Sequence, residues 1–291
     1  MGWRIIKIDS RSKLDYKMNY LVCRKDGETL RIFIDEISVL IVESTSISIT
    51  AALMVKLIEN KIKVVFCDSK RNPSFELMPY YGSHDTSLKI RNQFKWSEFN
   101  KQLVWTSIVK NKIKNQMTVL KENKLSEYLL LKEYIENIEF NDETNREGHA
   151  AKVYFNALFE REFSRNDDSI INSELDYGYS IILSIVNREI SIQGYITQIG
   201  IHHNNIFNDF NLGSDLVEPL RIFVDRKVIT MNHDCFSRDE KYEIISILTD
   251  YVKINNKIYT LNDAIGIYCR SVLEAINEGD ISLISYIEDV G

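Results

Sequence analysis

The sequence lacks the features that identify several large classes of protein. Its four cysteines stand far apart and form no Cys-x-x-Cys pair, at Cys23, Cys67, Cys235 and Cys269. This argues against a disulfide framework and indicates reduced thiols. No run of about 18 apolar residues occurs, and the opening MGWRIIKIDS has neither the apolar core of a signal peptide nor the myristoylation pattern. We therefore expect a cytoplasmic protein without membrane contact.

Familiar catalytic and nucleotide-binding fingerprints are also missing. The chain contains no GxGxxG, GxxxxGK[ST], GxSxG or HExxH motif. An active site must therefore be assembled from residues that are distant in sequence. The net charge is −6, so overall charge does not favour nucleic-acid binding, although a local basic surface remains compatible with it.

What the sequence does contain is two successive hydrophobic patterns. Up to residue 85, alternating and β-branched runs predict strands, with Asp26-Gly27 as a hairpin turn. The predicted strands are 3–9, 18–24, 28–35, 37–44, 63–69 and 74–78, with one helix over 46–60. After residue 85, apolar residues recur every three or four positions, which is typical of amphipathic helices. The predicted helices begin at 87 and continue over 125–139, 146–163, 176–193, 214–232, 238–252 and 261–278, with a short hairpin or extended turn at 252–261.

These patterns predict an α+β protein with 44% hydrophobic residues in a chain of 291, enough for two domains. We expect a small β-rich N-terminal domain over residues 1–85 and a larger all-α domain over 86–291. Two of the three prolines, Pro73 and Pro79, lie close to this boundary.

A basic segment opens the second domain. Residues 86–124 contain nine Lys and Arg against two Glu, a net charge of +7. Its cations are Lys89, Arg91, Lys95, Lys101, Lys110, Lys112, Lys114, Lys121 and Lys124. The pattern is typical of an ordinary solvated helix face, and the alternative is a surface that follows nucleic-acid phosphates.

The segment NREGHAAKVYFNALF (145–159) offers a first candidate carboxylate. Asn145 is a plausible N-cap, and Glu147 shares a helical stripe with Ala151, Tyr154 and Leu158. A carboxylate on an apolar stripe faces the interior and needs a cation or metal as partner. The alternative is a partly exposed Glu that compensates the helix dipole. His149 lies off this stripe, so we expect it at the surface.

The segment GIHHNNIFNDFNLGSDLVEPLR (200–221) contains the second group of candidate site residues. We expect a loop that ends at Ser214 as a helix N-cap, with Asp215 and Glu218 on one face of the helix. Pro219 removes a backbone hydrogen bond and indicates a kink. A His followed by a Glu suits Mn²⁺ or Mg²⁺ better than structural zinc. The alternative is a loop histidine bonded to backbone beside an acidic helix N-terminus.

Together with LDYGYSIILSIV (175–186), FCDSKRNPSFELMPYYGSHD (66–85) and the opening GWRIIKIDSRSKLDYK, these segments resemble the CRISPR-associated integrase family. This family supplies the catalytic subunit of spacer acquisition, and the likeness is to its type II-A form. The resemblance spans essentially the whole chain. It implies a β domain, a helical catalytic domain, and a catalytic metal site formed by Glu147, His203 and Glu218. Asp215 is a supporting acidic residue, and His202 occupies a position where the family accepts other residues.

The resemblance also implies chemistry and partners. The reaction is metal-dependent transesterification with Mg²⁺ or Mn²⁺, inserting short prespacer DNA at the ends of a CRISPR repeat. Expected partners are double-stranded DNA, a second copy of the chain through the β domain, and a small ferredoxin-like protein that completes a heterohexamer. In type II-A systems the effector nuclease and a ring-forming accessory protein join them. The residues expected to contact DNA phosphates are then Lys89, Arg91, Lys95, Lys110, Lys112 and Lys114. Two alternatives stay open, a generic metal-dependent DNA nuclease and a non-catalytic DNA-binding assembly subunit.

Overall fold

The computed structural model describes residues 2–79, 83–159 and 162–290. The chain divides into two compact units, Met1–Tyr80 and Tyr81–Gly291, and this division lies five residues before the boundary at 85 proposed from the sequence. The first unit is rich in strands and the second in helices. The predicted fold class is therefore confirmed.

The described residues of the first unit form two four-stranded sheets and one α-helix. Its elements are β1 Arg4–Ile8, β2 Ser12–Lys17, β3 Tyr20–Lys25, β4 Glu28–Phe33, β5 Ile37–Val42, β6 Ile47–Ile49, α1 Ala51–Glu59, β7 Lys63–Cys67 and β8 Pro73–Glu76. One sheet has the order β1-β5-β7-β8, and the other β4-β3-β2-β6. In the first sheet β1, β5 and β7 are parallel. The β-branched run of β5 is almost entirely buried, as expected of a central strand in a parallel sheet.

The predicted Asp26-Gly27 hairpin is confirmed. Both turn residues have positive φ, 50° and 85°, and Lys25 pairs with Glu28 across the turn, the arrangement that two-residue hairpins favour. The sequence pattern missed β2, because its own hairpin turns at Met18-Asn19, without the glycine that usually marks such a turn.

The predicted helix 46–60 begins later than expected. Residues Ile47–Ile49 form strand β6, which pairs with β2 in parallel. Helix α1 then starts after Thr50, whose side chain caps the amide of Leu53. Leu53 and Leu57 pack into the core that α1 shares with both sheets.

The second unit is built around two long helices. Its helices are α2 Thr86–Gln93, α3 Glu98–Glu122, α4 Tyr128–Glu136, α5 Arg146–Leu158, α6 Ile170–Ile192, α7 Asn211–Val217, α8 Arg221–Ile229, α9 Arg238–Ser246 and α10 Leu261–Glu278. Helix α3 packs against α4, α5, α8 and α10. Helix α6 begins six residues before its predicted start, after the N-cap Ser169. The predicted helix 146–163 ends at Leu158, and its residues 160 and 161 lie outside the described residues.

The predicted helix 214–232 is divided into three parts. It begins at Asn211, so the prediction that Ser214 is its N-cap is wrong. The carbonyl of Thr197 accepts from the amide of Leu212, and this contact replaces a side-chain cap at that end. Between α7 and α8, residues Glu218–Leu220 form a 3-10 turn, in agreement with the break expected from Pro219.

A small sheet completes the second unit. Strands β9 Tyr251–Ile254 and β10 Lys257–Thr260 form the predicted hairpin, and β11 Glu288–Asp289 adds an edge that was not predicted. The predicted helix 261–278 agrees with α10 at both ends. Within the described residues, no helix has the length and apolar character needed to cross a membrane.

Candidate active site

Glu147 lies in the first turn of α5, where other side chains cap the helix. Asn145 has left-handed backbone angles and accepts from the amide of Gly148, as its N-cap role predicts. Asp142 accepts from the amides of Arg146 and Glu147, at 2.8 and 3.0 Å. The first-turn amides are thereby satisfied, and the Glu147 carboxylate is free to make contacts elsewhere. Its side chain is 29% exposed. This exposure is intermediate between the inward-facing carboxylate and the partly exposed, dipole-compensating Glu that the sequence left open.

Glu218 occupies the 3-10 turn and is buried. Its Oε1 accepts from Arg221 Nη2 at 2.9 Å, and its Oε2 accepts from Lys112 Nζ at 2.5 Å. Burial disfavours the ionised carboxylate, but the charges of Arg221 and Lys112 outweigh it and lower the pKa of Glu218 to about 2. Glu218 is therefore an anion throughout the physiological pH range.

Lys112 joins the two carboxylates. Its ammonium forms ion pairs with both Glu147 and Glu218, so two of the predicted metal ligands meet at one cation. The residue is only 8% exposed. Burial disfavours the charged ammonium, but Glu218 and Glu147 more than compensate and raise the pKa of Lys112. Lys112 is therefore buried rather than on a solvated helix face, and its contact with DNA phosphates stays a prediction.

The other predicted phosphate-binding residues lie nearer the surface. Lys89 is half-buried and pairs with Asp85 at 3.1 Å. The remaining members of the set are exposed, namely Arg91, Lys95, Lys110 and Lys114. These five cations remain candidates for phosphate contacts.

His203 is oriented by Asp215. Its Nδ1 lies 2.7 Å from Asp215 Oδ1, which leaves Nε2 as the ring nitrogen for a metal or a proton. The hydrogen bond to the Asp215 carboxylate is the largest influence on His203 and, with the charges of Asp215, Glu218 and Glu147, raises its pKa in spite of partial burial. The same two glutamates that meet at Lys112 thus influence this imidazole.

Asp215 also fixes the backbone of the histidine loop. It is fully buried and accepts from the amides of Ile201, His202 and His203, at 2.5, 3.1 and 2.9 Å. Gly200 precedes this loop, and a Cβ there would clash with the carbonyl oxygen of His203. Asp215 is therefore a positioning residue.

His202 has different surroundings. Its ring stacks on the buried Trp105 at 4.2 Å with an interplanar angle of 5°, while His203 meets the same indole edge-on at 5.8 Å. The adjacent histidines therefore have separate roles, one against an aromatic face and one beside the carboxylates. The sequence did not indicate that Trp105 packs against this pair.

A cavity of about 260 Å³ adjoins the carboxylates. Its wall includes Lys112, Asn115, Gln116, Glu147, Phe155, Arg165, Tyr179, Glu218, Arg221 and Asp225. Asp225 was not singled out by the sequence, although it lies two turns after Glu218. It accepts hydrogen bonds from Tyr154 and Tyr179, and burial, the largest influence, raises its pKa to about 6.

The donor chemistry of the site fits a hard divalent cation. Two carboxylates and one imidazole suit Mn²⁺ or Mg²⁺, and Glu147 and Glu218 already share one positive charge. Among the described residues, no group of three or more His, Cys, Asp or Glu is arranged to hold a metal. The ammonium of Lys112 occupies the position between the carboxylates, so an ion bound by both requires it to move.

The chain as a whole was compared with known proteins. Residues 6–245 match the family described as CRISPR associated protein Cas1. A CRISPR-associated endonuclease Cas1 from Neisseria meningitidis serogroup C (strain 8013) is 33% identical over 231 residues, which are 79% of this chain and 76% of the relative.

Solved structures share the fold. A casposase bound to integration product has a TM-score of 0.74 at 17% identity, with 97% of this chain and 92% of that chain covered. A chain of a Cas6-RT-Cas1–Cas2 complex has a TM-score of 0.71 at 16% identity, with 97% of this chain and 36% of that longer chain covered.

Proposed function

The chain belongs to the Cas1 family of CRISPR-associated proteins, and from this premise we propose that it is a metal-dependent DNA integrase. Its substrates are short double-stranded prespacers and the CRISPR repeat, and its reaction is transesterification at the repeat ends. The observation that carries the proposal is the meeting of Glu147 and Glu218 at one buried cation. His203 is oriented by Asp215 and is near enough for the charges of both glutamates to raise its pKa.

Glu147, His203 and Glu218 are the residues that would hold the metal. A divalent ion, Mg²⁺ or Mn²⁺, supplies charge neutralisation at the phosphate and a lowered pKa of the attacking hydroxyl when bound. Glu218 offers a permanent anion because its pKa is about 2. Asp215 holds the imidazole of His203 by Nδ1, so that Nε2 is presented in a fixed direction.

The partners are proposed from family membership. We assign dimerisation to the first unit and the joining of two such dimers to a small ferredoxin-like protein, giving a heterohexamer. In a type II-A system, the effector nuclease and a ring-forming accessory protein are added in the cytoplasm. The comparison with a chain of a Cas6-RT-Cas1–Cas2 complex, in which a relative of similar fold accompanies Cas2, supports an assembly of this kind.

The test is a joining assay. The protein, with its small ferredoxin-like partner, is incubated with a blunt duplex, a supercoiled repeat plasmid and Mn²⁺. We expect half-site joining that Glu147→Ala abolishes, while Glu143→Ala, which removes an exposed carboxylate near the same helix start, leaves it intact.

Two other results of the joining assay would support the alternative functions. Cleavage of the plasmid without joining identifies a generic nuclease. DNA binding with neither cleavage nor joining identifies a non-catalytic assembly subunit.

A further inference from the structure

Both carboxylate oxygens of Glu218 are bound by cations. Arg221 holds Oε1 at 2.9 Å and Lys112 holds Oε2 at 2.5 Å. Glu147 approaches the same ammonium from another helix. A divalent ion therefore cannot use Glu218 and Glu147 together unless one of these side chains leaves its present position.

The contacts indicate that Lys112 is the side chain that leaves. Arg221 is one helical turn from Glu218 and packs over the ring of Tyr179, with 4.7 Å between its guanidinium carbon and the ring centroid. Lys112 has a flexible four-carbon stem and lies in the wall of the 260 Å³ cavity. The cavity gives the ammonium adjoining space into which the flexible stem could move.

We propose that Lys112 is an exchangeable internal counterion, which neutralises Glu147 and Glu218 in the metal-free protein and is displaced by the divalent ion. The inference rests on the proposed function, because it requires a metal at these carboxylates. In the metal-free protein the ammonium prevents repulsion between two anions held close together. It also competes with the metal, so that half-saturation of the site requires a higher concentration of free metal than it would without the ammonium.

Loss of the Lys112 charge changes both the metal affinity and the stability of the metal-free protein. Two unit charges a few ångströms apart near a protein surface interact strongly enough to change an equilibrium by at least a factor of ten. Removing the ammonium therefore increases the affinity for Mn²⁺, because no resident cation has to be displaced. It also destabilises the metal-free protein, because Glu147 and the Oε2 atom of the buried Glu218 lose the cation that they share, and only Arg221 still holds Glu218.

The experiment is a calorimetric titration of the whole protein with Mn²⁺ at pH 7.5, in the absence of DNA. We expect Lys112→Met to bind Mn²⁺ about tenfold more tightly than the natural protein. Lys114→Met is the matched control, since it removes the same charge from an exposed position on the same helix. We expect its affinity for Mn²⁺ to change by less than about twofold, because exposed charges are strongly screened.

Thermal unfolding supplies the second measurement. Without metal, Lys112→Met is expected to melt below the natural protein, and saturating Mn²⁺ is expected to raise its melting temperature by more than it raises that of the natural protein. Lys112→Gln carries the same expectations should the Met variant fail to fold. Lys112→Arg retains the charge and is expected to bind Mn²⁺ no more tightly than the natural protein.

The outcomes separate this inference from the proposed function. Unchanged or weaker Mn²⁺ binding by both neutral variants, with normal binding by the natural protein, overturns the exchange alone. If the natural protein shows no saturable Mn²⁺ binding that Glu147→Gln weakens, the proposed metal site fails and the exchange fails with it.

Discussion

The carboxyl group of Asp225 gives the second unit a pH-dependent stability. Burial raises its pKa to about 6 in the folded protein, against about 3.9 for an exposed aspartate. The folded state therefore binds this proton more tightly than the unfolded state does. Its stabilising contribution is fully present below about pH 4 and is lost as the pH rises through 6.

We expect Asp225→Asn to remove this dependence. The difference in unfolding free energy between variant and natural protein should change by up to about 3 kcal/mol between pH 4 and pH 7, with the variant gaining relative stability as the pH rises. Urea unfolding at intervals of one pH unit measures it. A difference that stays constant over this range contradicts the raised pKa.

We propose that Asp215 supports the chemistry by positioning His203 rather than as a metal ligand. In Asp215→Asn, one acceptor oxygen becomes an amide that faces a backbone donor, and the buried amides of the histidine loop lose a partner. We expect joining activity to fall by about 10- to 100-fold, as for other residues that orient a ligand histidine. A joining assay measures this change.

Mn²⁺ affinity shows how Asp215 acts. We expect Asp215→Asn to bind Mn²⁺ more weakly than the natural protein. A further change of Glu147 should still weaken Mn²⁺ binding in this variant, as it does in the natural protein. Full activity in a folded Asp215→Asn variant would contradict the positioning role.

The start of α5 can be tested as an element. Asn145 combines a side-chain cap with a left-handed backbone, with φ of 51°. We expect Asn145→Ala to lower the unfolding free energy by about 1–2 kcal/mol, because it loses the cap and cannot adopt positive φ without strain. Asn145→Gly, which accepts that backbone, should lose only a few tenths of a kcal/mol. Chemical denaturation of the two variants in parallel decides the point, and equal losses would show that the backbone conformation contributes nothing.

Local patterns were sufficient for most elements. The hairpin at Asp26-Gly27 and helix α10 follow from turn chemistry and apolar spacing, and the structure agrees with both. The start at 211 rather than 214 could not be predicted, since it depends on the carbonyl of Thr197, which is distant in sequence. Strand β6 was assigned to a helix because its pairing with β2 cannot be read from its own sequence.

The site shows the same division between local and long-range information. The stripe through Glu147 and Tyr154 indicated an inward-facing carboxylate. Lys112 lies four positions after the buried Ile108, on the same face of α3. This spacing could have indicated from the sequence that Lys112 is not a surface residue. Its partners lie 35 and 106 residues away in sequence, so only the packing of α3 against α5 and the turn at Glu218 identifies them.

The distribution of charge over the molecule predicts how its affinity for DNA depends on salt. The chain carries a net charge of −6, yet Arg91, Lys95, Lys110 and Lys114 are exposed on α2, α3 and the turn between them. Because DNA binding is driven by the counterions released at each phosphate contact, local cations matter and net charge does not. We expect DNA affinity to fall steeply with salt, with a slope of about −0.9 per phosphate contact in a plot of log affinity against log salt.

The double variant Lys110→Gln, Lys114→Gln tests whether α3 supplies two of these contacts. It should bind DNA more weakly at low salt and reduce the magnitude of the salt slope by about 2, since each neutralised cation removes about one contact. Fluorescence anisotropy with a blunt duplex, in EDTA so that no turnover occurs, measures both quantities. The control pair Lys61→Gln, Lys257→Gln removes the same charge at exposed positions outside the basic segment. If both pairs change the slope equally, binding reflects overall charge, and the basic segment has no special contact with DNA.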